Sequence, residues 1–152
     1  MMESYYRNIG FDTYAVGMEE DTFGGARELL RAIKDLKSGR IAYLFLAIDG
    51  PDGPALIPKP GVAYIAQRAE AFIIPVTFAS PQAIQLKSRW DQMAIPVPFS
   101  DIYIYFGPSL AISNKMQIDE ILSLVSESLR TADQKVKALA ARPSDEDYRQ
   151  SP

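Results

Sequence analysis

The sequence predicts an α/β domain, a mostly parallel sheet flanked by helices, on three observations. Two uninterrupted apolar runs, Ile41–Ile48 and Phe72–Phe78, read as strands buried on both faces. A helical stretch lies between them, so strand, helix and strand form a βαβ unit whose strands must run parallel with a right-handed crossover. Amphipathic helical patterns precede and follow that unit.

In chain order, a weak strand is expected at Asp12–Val16 and a helix at Ala26–Lys37. In that helix Leu29, Leu30, Ile33 and Leu36 share one face, and Gly39 supplies a stop. The run Ile41–Ile48 follows as the first buried strand, and Val62–Glu70, after Pro60, is a short helix. The second buried strand is Phe72–Phe78. A third, Ile102–Phe106, alternates Ile and Tyr between Asp101 and Gly107, as a peripheral strand does. From about Gln117 to Ala141 a long helix carries the stripe Ile118, Ile121, Leu122, Val125, Leu129, Ala132, Val136 and Leu139. After Arg142 the periodicity stops, so residues 1–142 are expected to form one domain and residues 143–152 a disordered tail.

Composition narrows the chemistry. A 152-residue chain with 47% hydrophobic and 23% charged residues suits one folded domain with a real core. A net charge of −3 gives no overall attraction to nucleic acid or an anionic bilayer. There is no cysteine, hence no disulfide, thiol nucleophile or thiolate metal site. There is also no histidine, which excludes imidazole-based triads and imidazole metal ligands and removes the side chain best matched to proton transfer at neutral pH. The longest apolar run falls far short of the roughly 20 residues of a spanning helix, so membrane contact is expected to be peripheral.

Asp49 to Pro60 is the segment most suggestive of a site. It is about twice the usual strand-to-helix loop length, is stiffened by four prolines, and leaves the carboxyl end of a predicted strand, where open α/β sheets place ligands. It reads equally as a rigid turn that shields the sheet end. Gly24-Gly25 ahead of the first helix would let backbone amides approach an anion, or form a plain tight turn; Glu19, Glu20 and Asp21 upstream oppose a phosphate. Lys59, Arg68, Lys87 and Arg89 are the nearby cations, read as a solvated face. Trp90 is either an interfacial anchor or a ring packed over the sheet edge. Asp49, Asp52 and Asp101 are placed as turn carboxylates that satisfy their own backbone rather than as a metal site.

Several ordered blocks resemble a known family: Gly24-Gly-Ala-Arg-Glu-Leu-Leu30, Asp49-Gly50-Pro51-Asp52-Gly53-Pro54, Lys59-Pro-Gly-Val62, Ile74-Pro75-Val76, Leu86-Lys-Ser-Arg-Trp-Asp91 and Ile95-Pro-Val-Pro-Phe-Ser100. From about Gly10 to Leu110 they are similar, in order and spacing, to the bacterial domain-of-unknown-function branch of the lysophospholipid acyltransferase superfamily. The resemblance covers that domain's C-terminal two-thirds. It implies a glycerolipid-acyltransferase-like α/β sheet, incomplete at its N-terminus, lying on the cytoplasmic face of a membrane. It implies acyl transfer from a thioester, with acyl-CoA or acyl carrier protein as co-substrate, to a lipid hydroxyl, and no nucleic-acid partner.

In that family a His-x-x-x-x-Asp motif supplies the base, and here it would fall upstream of Met1, so no catalytic residue is assigned and the chain alone is expected to be inactive. Val16, Phe23 and Asp52 stand where the family has arginine, which weakens anion binding. The resemblance places the acyl-acceptor site at Asp49, Gly50 and Pro51 and Pro75 beside the acyl channel, with Gly53, Pro54, Lys59, Gly24 and Gly25 completing the expected substrate-binding set.

Three readings follow: part of a membrane-associated acyltransferase whose histidine is encoded upstream; a non-catalytic lipid- or partner-binding remnant; or a soluble α/β domain without a present ligand. A partial domain also exposes a sheet edge or core face, so self-association is expected.

Overall fold

The computed structural model describes residues 22–49, 53–88, 90, 91 and 93–141. Among these residues three helices, α1 (Thr22–Lys37), α2 (Pro60–Ala69) and α3 (Ile118–Ala140), combine with four short strands. The strands are β1 (Val76–Ala79), β2 (Ala83–Gln85), β3 (Ala94–Pro96) and β4 (Tyr103–Phe106). The expected strand Asp12–Val16, the tail 143–152 and the positions Val16, Gly50, Pro51, Asp52 and Arg89 lie outside the described residues.

The mostly parallel sheet is not what forms. Among the described residues there are two small antiparallel sheets, β1 with β4 and β2 with β3. A continuous apolar run says that a segment is covered, not which neighbour's amides pair with it. Ile41–Ile48 pairs with no described strand. Its Leu44 and Ile48 lean on the helices, while Tyr43 and Phe45 stay exposed. Phe72–Phe78 finds its partner downstream instead, in the register Val76↔Phe106, Thr77↔Tyr105, Phe78↔Ile104 and Ala79↔Tyr103. With no parallel neighbour there is no βαβ unit, and the crossover rule has nothing to act on.

The four strands are successive parts of one folded-back arm. Beyond β1 and β4 the chain narrows at the Ser80 and Ser100 hydroxyls, 3.3 Å apart. It then continues into β2 and β3, where Ile84 faces Ile95. Towards the body the ladder is extended by an isolated bridge, Ile73↔Leu110. Between that bridge and Val76↔Phe106, Ile74 and Pro75 stand opposite Gly107, Pro108 and Ser109, a bulge. Pro75 has no N–H to donate, but its carbonyl accepts the Gly107 N–H at 2.8 Å.

The helices follow the hydrophobic pattern, except that Leu30, expected on the packed face of α1 with Leu29, Ile33 and Leu36, is exposed. In α3, Ile121, Val125, Leu129, Ala132, Val136 and Ala140 form the buried stripe, with Asp119 and Glu120 in the first turn and Lys137 in the last, each complementing the helix dipole. α3 packs across one face of the β1–β4 sheet. α2 begins with Pro60, preset for a first helical turn. It ends at Glu70 in the left-handed conformation (φ 54°), with the Ala71 N–H reaching back to the Ala66 carbonyl at 3.0 Å. α2 lies between its neighbours: Ala63 packs with Ile121, Val125 and Leu129 of α3, whereas Ile65 and Ala69 pack with Ile33 of α1. Gln67 fastens the turn before α3, its amide donating to the Met116 carbonyl at 2.8 Å.

α1 starts at Thr22, so Gly24 and Gly25 lie inside its first turns and form no tight turn ahead of it. It stops at Lys37 with Gly39 at φ 72°. Asp35, buried near its end, is ion-paired with Arg40 and 4.0 Å from Arg31 Nε, and its carbonyl accepts the Ile41 N–H. The helix end and the chain leaving it are thereby joined.

Candidate functional site

The bend between Ile48 and Lys59 closes on itself. The Lys59 N–H donates to the Ile48 carbonyl at 2.7 Å, so the two ends of the segment meet, as in an Ω-loop. Lys59 immediately precedes Pro60, so its extended backbone (φ −83°, ψ 155°) is the conformation a pre-proline residue favours. Its side chain folds back over the loop, and Nζ donates to the Gly53 carbonyl at 2.7 Å.

Gly53 is buried, adopts φ 68° and precedes a cis peptide to Pro54. Two independent constraints select glycine here. The left-handed backbone disfavours a side chain, and the space for one is taken: a Cβ would sit 2.3 Å from Cε3 of Trp90. The indole, at the tip of the strand arm between β2 and β3, rests on the Gly53 backbone. The next turn runs from Pro54 to Ile57, with the Ile57 N–H on the Pro54 carbonyl at 3.3 Å and Leu56 at φ 61°. Leu56 joins the core between α2 and α3, and its carbonyl accepts Ser126 Oγ from α3 at 3.2 Å. Pro58 is buried beneath.

The bend is therefore held at its neck by Lys59, at its floor by Leu56 and Ser126, and on its outer side by Trp90. Of the residues that sequence reasoning selected, Gly53, Pro54 and Lys59 come together, and Asp49 is half-buried at the neck next to Ile48. Gly50 and Pro51 are outside the described residues. Pro75 sits in the β1–β4 ladder against Gly107, and Gly24 and Gly25 belong to α1. The cations do not gather: Lys59 is on Gly53, the Arg68 guanidinium lies 5.1 Å from the Tyr64 ring centroid, and Lys87 is in an exposed turn.

Trp90 is the residue whose place the sequence left open, and neither reading of it named Gly53. The one available signal was Gly53 itself, a glycine between Asp52 and Pro54 in a loop already stiffened by prolines. Chemically the arrangement offers an ammonium that can donate to an anionic or carbonyl oxygen beside a flat apolar ring. It offers no imidazole. Among the described residues no group of three acidic, histidine or cysteine side chains is placed to hold a metal ion, and no described helix is long and apolar enough to cross a membrane.

The chain is similar to the uncharacterized protein RP090 of Rickettsia prowazekii (strain Madrid E), with 33% identity over 94 residues covering 59% of this chain and 43% of that protein. The chain thus spans less than half the length of this relative, which brings no activity with it. No family model matches the chain, and no solved structure does.

Proposed function

We propose that this chain is the acceptor-shaping part of a lysophospholipid-acyltransferase-like protein, one that binds lysolipid at the Asp49–Pro60 bend and performs no acyl transfer alone. The observation that supports it most is the meeting of three sequence blocks at one point. Lys59 Nζ lies on the Gly53 carbonyl and the Trp90 ring on the Gly53 backbone, although Trp90 is distant in sequence. In this reading Lys59 donates to a headgroup or ester oxygen, and Trp90 walls the apolar side. Acyl-CoA or acyl carrier protein would serve as donor, and the site would work peripherally at the inner face of the cell membrane. The reading needs a general base from outside this chain, because the chain has no histidine.

Trp90 is the sole tryptophan, so its emission reports directly on the bend. Titration with a lysophospholipid below its micellar concentration is expected to shift that emission, and Lys59→Ala to weaken the response by about ten-fold, the loss of one charge-assisted hydrogen bond. Gly53→Ala, which must displace the indole, is expected to red-shift the emission of the free chain and abolish the response. An unchanged Trp90 spectrum at saturating lysolipid sinks the proposal. Thioester-dependent acyl transfer by the chain alone removes its non-catalytic half.

A second reading, a non-catalytic partner-binding remnant, is favoured by the apolar face that the β1–β4 sheet leaves open. Binding at that face without a Trp90 response would select it.

A further inference from the structure

The β1–β4 sheet has two unlike faces. Thr77 and Tyr105, directly opposite each other, turn towards α3, and Lys135 of α3 reaches the Tyr105 hydroxyl at 3.2 Å. The alternate positions, Val76 opposite Phe106 and Phe78 opposite Ile104, point the other way. Phe72 and Ile102 continue that row, and all six side chains are between 38% and 68% exposed. A mixed surface would intersperse charges here. Residues 72–79 and 102–106 contain none, and the nearest charged residues in sequence are Glu70 and Asp101, both acidic.

We infer that this face is the interface of a two-fold dimer, sheet against sheet, with a second copy of the chain as its occupant. This goes beyond the lysolipid reading and is independent of it. Three observations select the second copy. The first is size: with Ile74 included, the exposed parts of these side chains amount to about 700 Å², close to the ~800 Å² that each partner gives to an interface of standard size. The second is charge. An anionic membrane surface would want Lys or Arg around the apolar patch, whereas the strands carry no cation, the flanking Glu70 is already ion-paired with Lys37, and Asp101 adds a negative charge.

The third is self-complementarity. A flat apolar face of alternating aromatic and aliphatic side chains can oppose itself across a two-fold axis, and that closed symmetry limits assembly to two copies. A net charge of −3 on each copy is largely screened at physiological salt, so association strengthens as salt rises.

Sedimentation equilibrium of the purified chain from about 1 to 200 µM, a range suited to micromolar association, is the test. The expected result is a reversible rise from 16.9 kDa to twice that mass, tighter at higher salt. Phe78→Glu and Ile104→Glu should each weaken association by about a hundred-fold, since each buries an unpaired charge. Leu30→Glu, at an exposed position on α1, should leave it unchanged. Where a glutamate variant fails to fold, Phe78→Thr and Phe106→Thr keep strand propensity and should still weaken pairing about ten-fold. Binding of an apolar dye to the unmodified chain should fall as its concentration rises. A monomer at 200 µM, a dimer indifferent to all the strand substitutions, open-ended oligomers, or a monomer that floats with neutral phosphatidylcholine vesicles would each overturn the inference.

Discussion

Replacing Thr77 with valine should stabilise the protein. Thr77 lies on the covered face of β1, is only 8% exposed, and its Oγ1 has no hydrogen-bond partner among the described residues. Folding therefore strips water from a hydroxyl and returns nothing, at a cost of about 1–3 kcal/mol by mutational measures. Valine puts a methyl group in nearly the same volume, keeps the branched shape that strands favour, and adds contact with α3. The net gain expected is about 1 kcal/mol, the low end of the range because burial is not total. With a urea slope of about 1–2 kcal/mol/M, the midpoint should rise by roughly 0.5–1 M at constant slope. Chain concentration must be held fixed, because an associating chain gains apparent stability by mass action. Thr77→Ser is the control: it keeps the hydroxyl and loses the methyl, so it should destabilise by about 1 kcal/mol. An unchanged or lower midpoint for Thr77→Val would mean that the hydroxyl is satisfied, and that β1 does not meet α3 as described.

Two further substitutions probe other levels of the structure. Phe99 is fully exposed at φ 66°, after Pro98 in a turn closed by the Ser100 N–H on the Val97 carbonyl; Phe99→Gly relieves the left-handed strain without losing packing, and should raise stability by about 0.5–1 kcal/mol in thermal or urea melts. Ile121 is completely buried where α3 meets Ala63 of α2, so Ile121→Ala should cost about 2–5 kcal/mol and lower the urea midpoint accordingly.

The helices were legible because their information is local. Leu29, Ile33 and Leu36, or Ile121, Val125 and Leu129, repeat at the helical period whatever they pack against, and Pro60 and Gly39 mark boundaries by their own backbone preferences. The sheet was not legible, because strand pairing is a relation between distant segments. Ile41–Ile48 and Phe72–Phe78 look alike as strings of apolar residues. One lies along helices while the other pairs with Tyr103–Phe106, and nothing within either run distinguishes these fates. β2 and β3 have three residues each, with Pro96 in one of them, too few for alternation to register. At the bend the composition drew attention to a constrained loop, since prolines and glycines constrain the chain wherever they occur. What holds the loop, an ammonium on Gly53 and an indole against it, arises only once the arm folds back.

The place of α2 has a consequence for how the molecule comes apart. One side of this ten-residue helix belongs to the cluster with α3 and another to the cluster with α1, and it is too short to persist in water once stripped of either. Damage to one cluster therefore dissolves the wall of the other. The halves cannot melt in turn, and the amides of Tyr64–Ala69 should be the last to open.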